Sequence, residues 1–199
     1  MDRQEWLLSR HQGIGSSEAA ALHGLSPYMK YEELYQEKCR ATPTDSGSSF
    51  IQQRGQAMEP RLRAYFAMNY FVEKFIDDPF ESANVVHHRY SYMRASLDGL
   101  SKDKTVFIEC KLVGKKVYEA GIIPIAYFCQ MQHQYACSNA LEGYMVMGEG
   151  DRMKSFLVPR DESFIIIHKR RCKEFWKEVL AYREINKLHP IDEAKPLGL

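Results

Sequence analysis

The chain has 199 residues, 45% of them hydrophobic and 27% charged, which is enough for one globular domain with a substantial core. A net charge of +1 gives no bulk attraction to nucleic acid, so any DNA site has to be a local patch built by the fold. No apolar run reaches the roughly 18 residues of a membrane span, and Met1-Asp2-Arg3-Gln4-Glu5 lacks the basic-then-apolar start of a secretory signal. A cytosolic protein with no membrane partner is expected.

In chain order, a short helical N-terminal region has pieces near Ser16 to His23 and Tyr31 to Lys38. The small polar run Thr42 to Ser49 reads as a mobile loop. A longer helix follows, from about Ile51 to Tyr70. Strands are expected at about Asn84 to Tyr90, Met93 to Leu97, Thr105 to Lys111, Gly143 to Gly148 and Met153 to Val158. A helix from about Pro124 to Ala140 interrupts them, and an amphipathic helix from about Asp161 to Lys187 ends the pattern. Pro124 suits a first helical turn, and Asp161 with Glu162 suits the positive end of a helix dipole. This order predicts an α/β layer fold with a mixed sheet covered by helices, in a single domain over 1–199 with residues 1–50 packed on the core.

The five cysteines are odd in number and scattered, which fits reduced, mostly buried thiols better than a disulfide framework. The seven histidines show no zinc-site spacing relative to them. His87 and His88 are neighbours on an expected strand, where they would point to opposite faces.

The strands around residue 100 carry the chemistry. With a tight turn at Asp103-Lys104, Asp98 falls directly opposite Glu109, their Cβ atoms about 4.5–5.5 Å apart. The period of two sets Thr105, Phe107, Glu109 and Lys111 on one face. Two like charges about 5 Å apart repel by roughly 3 kcal/mol at an effective dielectric of about 20. A divalent cation removes that conflict, can activate water and can offset charge on a phosphate, so the trio suits a metal-dependent nuclease. The bland alternative is a hairpin edge of solvated charges, and a bulge at Gly99 would shift the pairing.

Other residues could join this site. Gln132 lies within an apolar stripe of Ile125, Phe128, Cys129 and Ala136, so its amide either satisfies a backbone group in the core or faces the carboxylates. Glu59 precedes Pro60, which is awkward inside a helix, so the local geometry either places that acid or leaves it solvated. Gly13-Ile14-Gly15-Ser16-Ser17 opens a helical turn whose N-terminus can hold an anion, with Arg10 beside it, although a serine before an alanine-rich helix is ordinary.

Taken together these motifs resemble the phage lambda-type exonuclease family, the YqaJ-like viral recombinases, within the PD-(D/E)xK nuclease superfamily. The resemblance runs over nearly the whole chain. It rests on Arg10 with Gly13-Ile14-Gly15-Ser16-Ser17-Glu18-Ala19, Gly24-Leu25-Ser26-Pro27-Tyr28, Gly55-Gln56-Ala57-Met58-Glu59-Pro60, Ala95-Ser96-Leu97-Asp98-Gly99-Leu100, Glu109-Cys110-Lys111 and Tyr127-Phe128-Cys129-Gln130-Met131-Gln132. Leu97 stands where the superfamily name expects proline, which is not a ligand, and Gln130 is the near alternative to Gln132.

The resemblance implies a restriction-endonuclease-like core and a 5′ to 3′ exonuclease on double-stranded DNA ends. Asp98, Glu109 and the Cys110 main-chain carbonyl would hold Mg²⁺, with Mn²⁺ able to substitute and two ions per site. Glu59 would help hold metal or water, and Lys111 would orient or activate the attacking water. Arg10, Ser17 and Gln132, with Ser96 contributing, would bind the 5′-terminal phosphate, Gln132 also lying near the scissile group. A homotrimer ring, a single-strand annealing protein as partner, and the cytoplasm of a bacterial host are further implications. Lys30, Arg54, Lys115 and Lys116 are candidates to track the DNA backbone. The competing functions are an endonuclease of the same superfamily and a non-catalytic DNA-end-binding subunit.

Overall fold

A computed structural model describes residues 3–45, 47, 49–71 and 80–188. Residues 46 and 48 of the expected mobile loop lie outside these. Helix α1 (Arg3–His11) leads into a two-residue strand β1 (Ile14–Gly15), two 3-10 turns (Ser16–Glu18 and Ala21–His23) and α2 (Tyr31–Cys39). Then come α3 (Phe50–Phe71), β2 (Glu81–Val86), β3 (Met93–Leu100), β4 (Val106–Leu112), α4 (Lys115–Ala120), α5 (Ile125–Ser138), β5 (Glu142–Glu149), β6 (Arg152–Leu157) and α6 (Glu162–Ile185).

The six strands among the described residues form one mixed sheet. β3 pairs antiparallel with β2 and β4, β4 pairs parallel with β5, β5 pairs antiparallel with β6, and β1 lies parallel to the start of β3. Helices cover both faces. Against one face α3 packs Leu62 and Phe66 onto Val106, Ile108, Cys110 and Val146. Against the other, Phe107, Met145 and Met147 meet Met131 and Tyr135 of α5 and Phe175 of α6. The alternation of Phe107 with Val106 and Ile108, and of Val146 with Met145 and Met147, is the period of two that buries both faces of a central strand. Among the described residues no helix is long and apolar enough to cross a membrane.

The expected elements are present with three changes. The strand expected at Asn84 to Tyr90 spans Glu81–Val86 instead, because residues from His87 onward turn. His87 Nδ1 accepts the Arg89 N–H at 3.0 Å, and the Tyr90 N–H bonds the His87 carbonyl, so the side chain draws the backbone out of the ladder. The turn after β3 is wider than Asp103-Lys104: Lys104 N donates to Ser101 O, Ser101 N to Val106 O, and Lys104 takes a left-handed φ of 60°. α3 runs unbroken through Pro60. At the far end Asp161 caps α6 as expected, its Oδ1 accepting the Phe164 N–H at 2.9 Å.

Gly13 is where β1 enters the sheet. A Cβ there would lie 2.5 Å from the Tyr92 carbonyl oxygen, so only glycine lets this segment reach β3, where Ile14 N donates to that oxygen at 2.6 Å.

Candidate active site

The site sits where β3 leaves β4. The two strands pair at Leu100↔Phe107 and Gly99↔Ile108, the register expected from the sequence, and the described ladder stops there. Along β2 the pairing shifts between Leu100↔Glu81 and Leu97↔Ala83, so β3 carries one extra residue at Asp98-Gly99. This is a β-bulge. It reverses the facing of the strand: Leu97 packs in the cluster beneath α5 and α6, whereas a Cβ on Gly99 would strike Phe80 and Ile108 of the α3-side cluster. A strand has two edges, and β2 occupies one along the length of β3. β1 at Met93 and Arg94 therefore shares the other edge with β4, and the two part around Asp98.

Into this gap come the expected acids. Asp98 Oδ2 accepts the Cys110 N–H at 2.7 Å, taking the place of a ladder bond. Lys111 Nζ lies 2.6 Å from Glu109 Oε1, and Glu109 is 2% exposed. Burial pushes the Asp98 carboxyl up to about 8, and the nearby Glu109 charge adds to it. Burial also raises the Glu59 carboxyl, with Arg63 opposing and Glu109 reinforcing the shift. For Lys111 burial acts downward, but the charge and hydrogen bond of Glu109, helped by Asp98, win and hold the ammonium above its usual range. Asp98, Glu59, Glu109 and Lys111 thus share one electrostatic environment.

Arg63, unmarked in the sequence reading, ties α3 to this group. Its NH1 donates to Glu59 Oε1 at 3.0 Å, to the Asp98 carbonyl at 2.8 Å and to Ser82 Oγ. The signal was available in the i, i+4 spacing of Glu59 and Arg63. Asp98, Glu59 and Glu109 bring together hard oxygen donors beside the two cations Lys111 and Arg63, so the group fits a divalent metal of the magnesium kind.

The glutamines correct the sequence reading. Gln132, 0% exposed, does not face the carboxylates: its Nε2 donates to the Pro159 carbonyl at 2.8 Å and its Oε1 accepts the Asp161 N–H at 2.8 Å. Both ends of its amide fasten α5 to the start of α6. Gln130 and Gln134, one turn apart, reach Glu109 instead. Gln130 Nε2 donates to Oε1 at 2.6 Å, and Gln134 Nε2 donates to Oε2 and to the Ser96 carbonyl. Two residues along a helix turn the side chain by about 200°, which is why Gln132 points away.

The N-terminal candidates form a second polar group. Arg10 NH2 lies 3.2 Å from Ser17 Oγ and 3.1 Å from Glu18 Oε1. Glu18 also holds Lys38, 2.9 Å from its Oε2, and accepts the Gly15 N–H at 2.8 Å. Burial would raise the Glu18 carboxyl, but Lys38 and Arg10 overcome it and hold it below the ordinary value. Ala19 and Ala20, next to Glu18, pack on Cys129 of α5, whose neighbour Gln130 binds Glu109, so the two polar groups are fixed to adjacent residues of one helix. Ser96 does not join Arg10: its hydroxyl donates to Asn84 Oδ1 at 2.8 Å, across the β2–β3 pair. Tyr127 lies beneath Lys111, 5.4 Å from Nζ to ring centroid, and Tyr28 stands against Tyr127 while 79% exposed. Lys30, Arg54, Lys115 and Lys116 are all exposed.

A mixed sheet flanked by helices, with an acidic pair and a lysine at a strand divergence, is the PD-(D/E)xK, restriction-endonuclease-like class of fold. Residues 5–141 match the YqaJ-like viral recombinase domain, and the chain belongs to that family. The chain is 24% identical over 184 residues to the uncharacterised protein YqaJ of Bacillus subtilis (strain 168), covering 89% of this chain and 56% of that relative. The chain thus spans about half of the relative's length. The alkaline exonuclease LHK-Exo of Laribacter hongkongensis superposes with a TM-score of 0.76 at 22% identity, over 92% of this chain and 95% of that one. Its complex with dAMP gives the same score at 24% identity and the same coverage. A phage related exonuclease from Haemophilus somnus 129PT superposes at 0.60 and 12% identity, over 89% and 96%.

Proposed function

We propose that the protein is a metal-dependent exodeoxyribonuclease that digests one strand of duplex DNA from its 5′ end and leaves 3′ single-stranded overhangs. The observation that carries this reading is the convergence of Asp98, Glu109 and Lys111 on the gap where β3 and β4 part. Burial and Glu109 push the Asp98 carboxyl up to about 8, a conflict that a bound cation would relieve. Asp98, Glu109, Glu59 and the Cys110 carbonyl, which shares a strand edge with the Cys110 N–H, are the donors for Mg²⁺, with Mn²⁺ able to substitute and two ions per site. Bound there, the metal supplies a nucleophilic water at neutral pH and offsets charge on the phosphate.

The remaining residues hold the reactants. Lys111, held against Glu109, orients the attacking water. Gln130 and Gln134 fix the Glu109 carboxylate by a hydrogen bond to each oxygen. Arg10 and Ser17 receive the 5′-terminal phosphate: with Lys38 they surround one Glu18, so the group keeps a net positive charge. Capture of the end then sets which phosphodiester meets the carboxylates. That LHK-Exo is an alkaline exonuclease with a known dAMP complex supports the nuclease reading. Family resemblance supports a ring-shaped homotrimer acting with a single-strand annealing protein in phage-type recombination, in the cytoplasm of a bacterial host.

The test is digestion of linear duplexes carrying a 5′-phosphate or a 5′-hydroxyl, beside a closed circle, with Mg²⁺ or with chelator. Linear DNA should shorten only with Mg²⁺, faster from phosphorylated ends, and closed circles should survive. Cutting of closed circles at the linear rate would make the protein an endonuclease. End binding without any hydrolysis would make it a non-catalytic subunit.

A further inference from the structure

Three imidazoles run in a hydrogen-bonded line through the core. His23 Nε2 lies 2.9 Å from His168 Nδ1, His168 Nε2 lies 2.8 Å from His133 Nδ1, and His133 Nε2 lies 3.0 Å from the Arg94 carbonyl. A carbonyl can only accept, so His133 carries its proton on Nε2; His168 and then His23 must do the same. Cys172, one turn from His168, brings Sγ to 3.4 Å from His168 Nε2. His133, His168 and Cys172 are all 0% exposed.

The sequence repeats a spacing here. His133 and Cys137 are four residues apart on α5, and His168 and Cys172 are four apart on α6, so each helix presents an imidazole and a thiol on one face. The faces meet: one donor atom each from His133, His168 and Cys172 lie within 4.8 Å of one another. Cys137, also buried and free, is near enough for its charge to act on the Cys172 thiol.

We propose that this cluster is a structural zinc site, with His133 Nδ1, His168 Nε2 and Cys172 Sγ as ligands and Cys137 turned inward as the fourth. Two imidazoles and two thiolates are a structural zinc donor set, soft enough to be distinct from the all-oxygen group at Asp98. Zn–N bonds of about 2.0–2.1 Å and Zn–S bonds of about 2.3 Å set tetrahedral N···N and N···S separations near 3.3–3.6 Å. The sulfur already stands at that range from His168 Nε2, and the two rings need to part by about half an ångström.

The protons balance. His168 moves its proton from Nε2 to Nδ1 and donates to His23 Nε2, while His23 moves its own from Nε2 to Nδ1, so their hydrogen bond survives reversed. His133 is unchanged. Each thiol gives one proton to solvent, and the two thiolates neutralise the ion, which the dry core requires. The site would join α5, which carries Gln130 and Gln134, to α6, yet it does not depend on nuclease activity.

The test uses the full chain. Protein from zinc-supplemented cells is assayed for bound metal, and protein stripped with chelator is titrated with Zn²⁺ and with Co²⁺. We expect about one zinc per chain, a rise of several degrees in Tm on adding Zn²⁺, and a near-ultraviolet thiolate-to-cobalt band. The zinc and the band should persist in Asp98→Ala, the band should be lost in the double variant Cys137→Ser with Cys172→Ser, and stoichiometric zinc should be lost in His168→Gln. Absence of stoichiometric zinc together with no sulfur-to-cobalt band in the unmutated protein overturns the proposal, as does a band that survives when Cys137 and Cys172 are both replaced by serine. If those variants do not fold, the cobalt spectrum of a Cys110→Ser chain decides, because the group at Asp98, Glu59 and Glu109 then offers no sulfur.

Discussion

Asp98 accepts the Cys110 N–H at 2.7 Å, one residue beyond the last described backbone pair of β3 and β4. A side chain has taken over where the ladder stops, and this leaves a carboxylate buried beside Glu109. Replacement by Asn keeps an acceptor for that N–H and, above the pH of about 8 at which the carboxyl ionises, removes a charge that repels its neighbour. Asp98→Asn should therefore lower nuclease activity by about 10³-fold, while the Tm of the metal-free protein stays level or rises. Activity assays on linear DNA and thermal melts in chelator check both halves, and a lower Tm would refute the repulsion.

How much of this was legible in the sequence can be judged from particular residues. The Gly99–Ile108 and Leu100–Phe107 register followed from strand pattern and turn position, because antiparallel pairing propagates from a hairpin, although the turn is wider; the expected Asp98–Glu109 pair lies beyond the last described backbone pair, where Asp98 meets the Cys110 N–H. The reversal of facing at Gly99 was foreseen only as an option, since a bulge depends on what packs against each face. The orientation of the glutamines was not legible: Gln130, Gln132 and Gln134 are chemically identical, and only helix phase against β4 selects between them. Likewise the His133–Cys137 and His168–Cys172 pairs showed no zinc-site spacing, because 35 residues separate the histidines and tertiary packing alone brings them together.

The glutamines give a prediction that separates the two readings of α5. Gln130→Ala frees Glu109 from one of its fixing bonds and should lower kcat by about 10–100-fold with little change in Tm. Gln132→Ala leaves the Pro159 carbonyl and the Asp161 N–H without their partner, at about 1–3 kcal/mol each, so Tm should drop by roughly 10 °C while the folded fraction keeps its kcat. The reverse pattern would return Gln132 to the active site.

A similar test applies to the N-terminal group. Lys38 is 2% exposed and its charge is compensated by Glu18. Glu18→Gln strands a buried ammonium, which costs about 3–5 kcal/mol, or a Tm loss of roughly 10 °C. The double variant Glu18→Gln with Lys38→Met should recover most of that loss. Failure of the double variant to recover would show that Glu18 acts through Arg10 or the Gly15 N–H instead.

Arg10 itself is expected to matter for the DNA end. Arg10→Ala removes the guanidinium next to Ser17 and should cut the rate on 5′-phosphorylated ends by about 10–100-fold, with little effect on 5′-hydroxyl ends. Rates measured on the two ends side by side give the ratio directly. An equal fall on both ends would assign Arg10 to general DNA binding or to folding.

The acidity of Asp98 sets a pH dependence for the metal. In the metal-free protein burial and Glu109 push its carboxyl up to about 8, so below that pH the group holds a proton which an incoming cation must displace. Above about 8 the carboxylate is already ionised and nothing has to leave. Apparent Mg²⁺ affinity should therefore weaken by about tenfold for each pH unit below 8 and level off above it. Calorimetric titration of Mg²⁺ between pH 6.5 and 9 measures this, and Asp98→Asn should flatten the profile as well as weaken binding. A profile that is flat in the unmutated protein would mean that Asp98 is ionised before the metal arrives, held so by Lys111 and the Cys110 N–H.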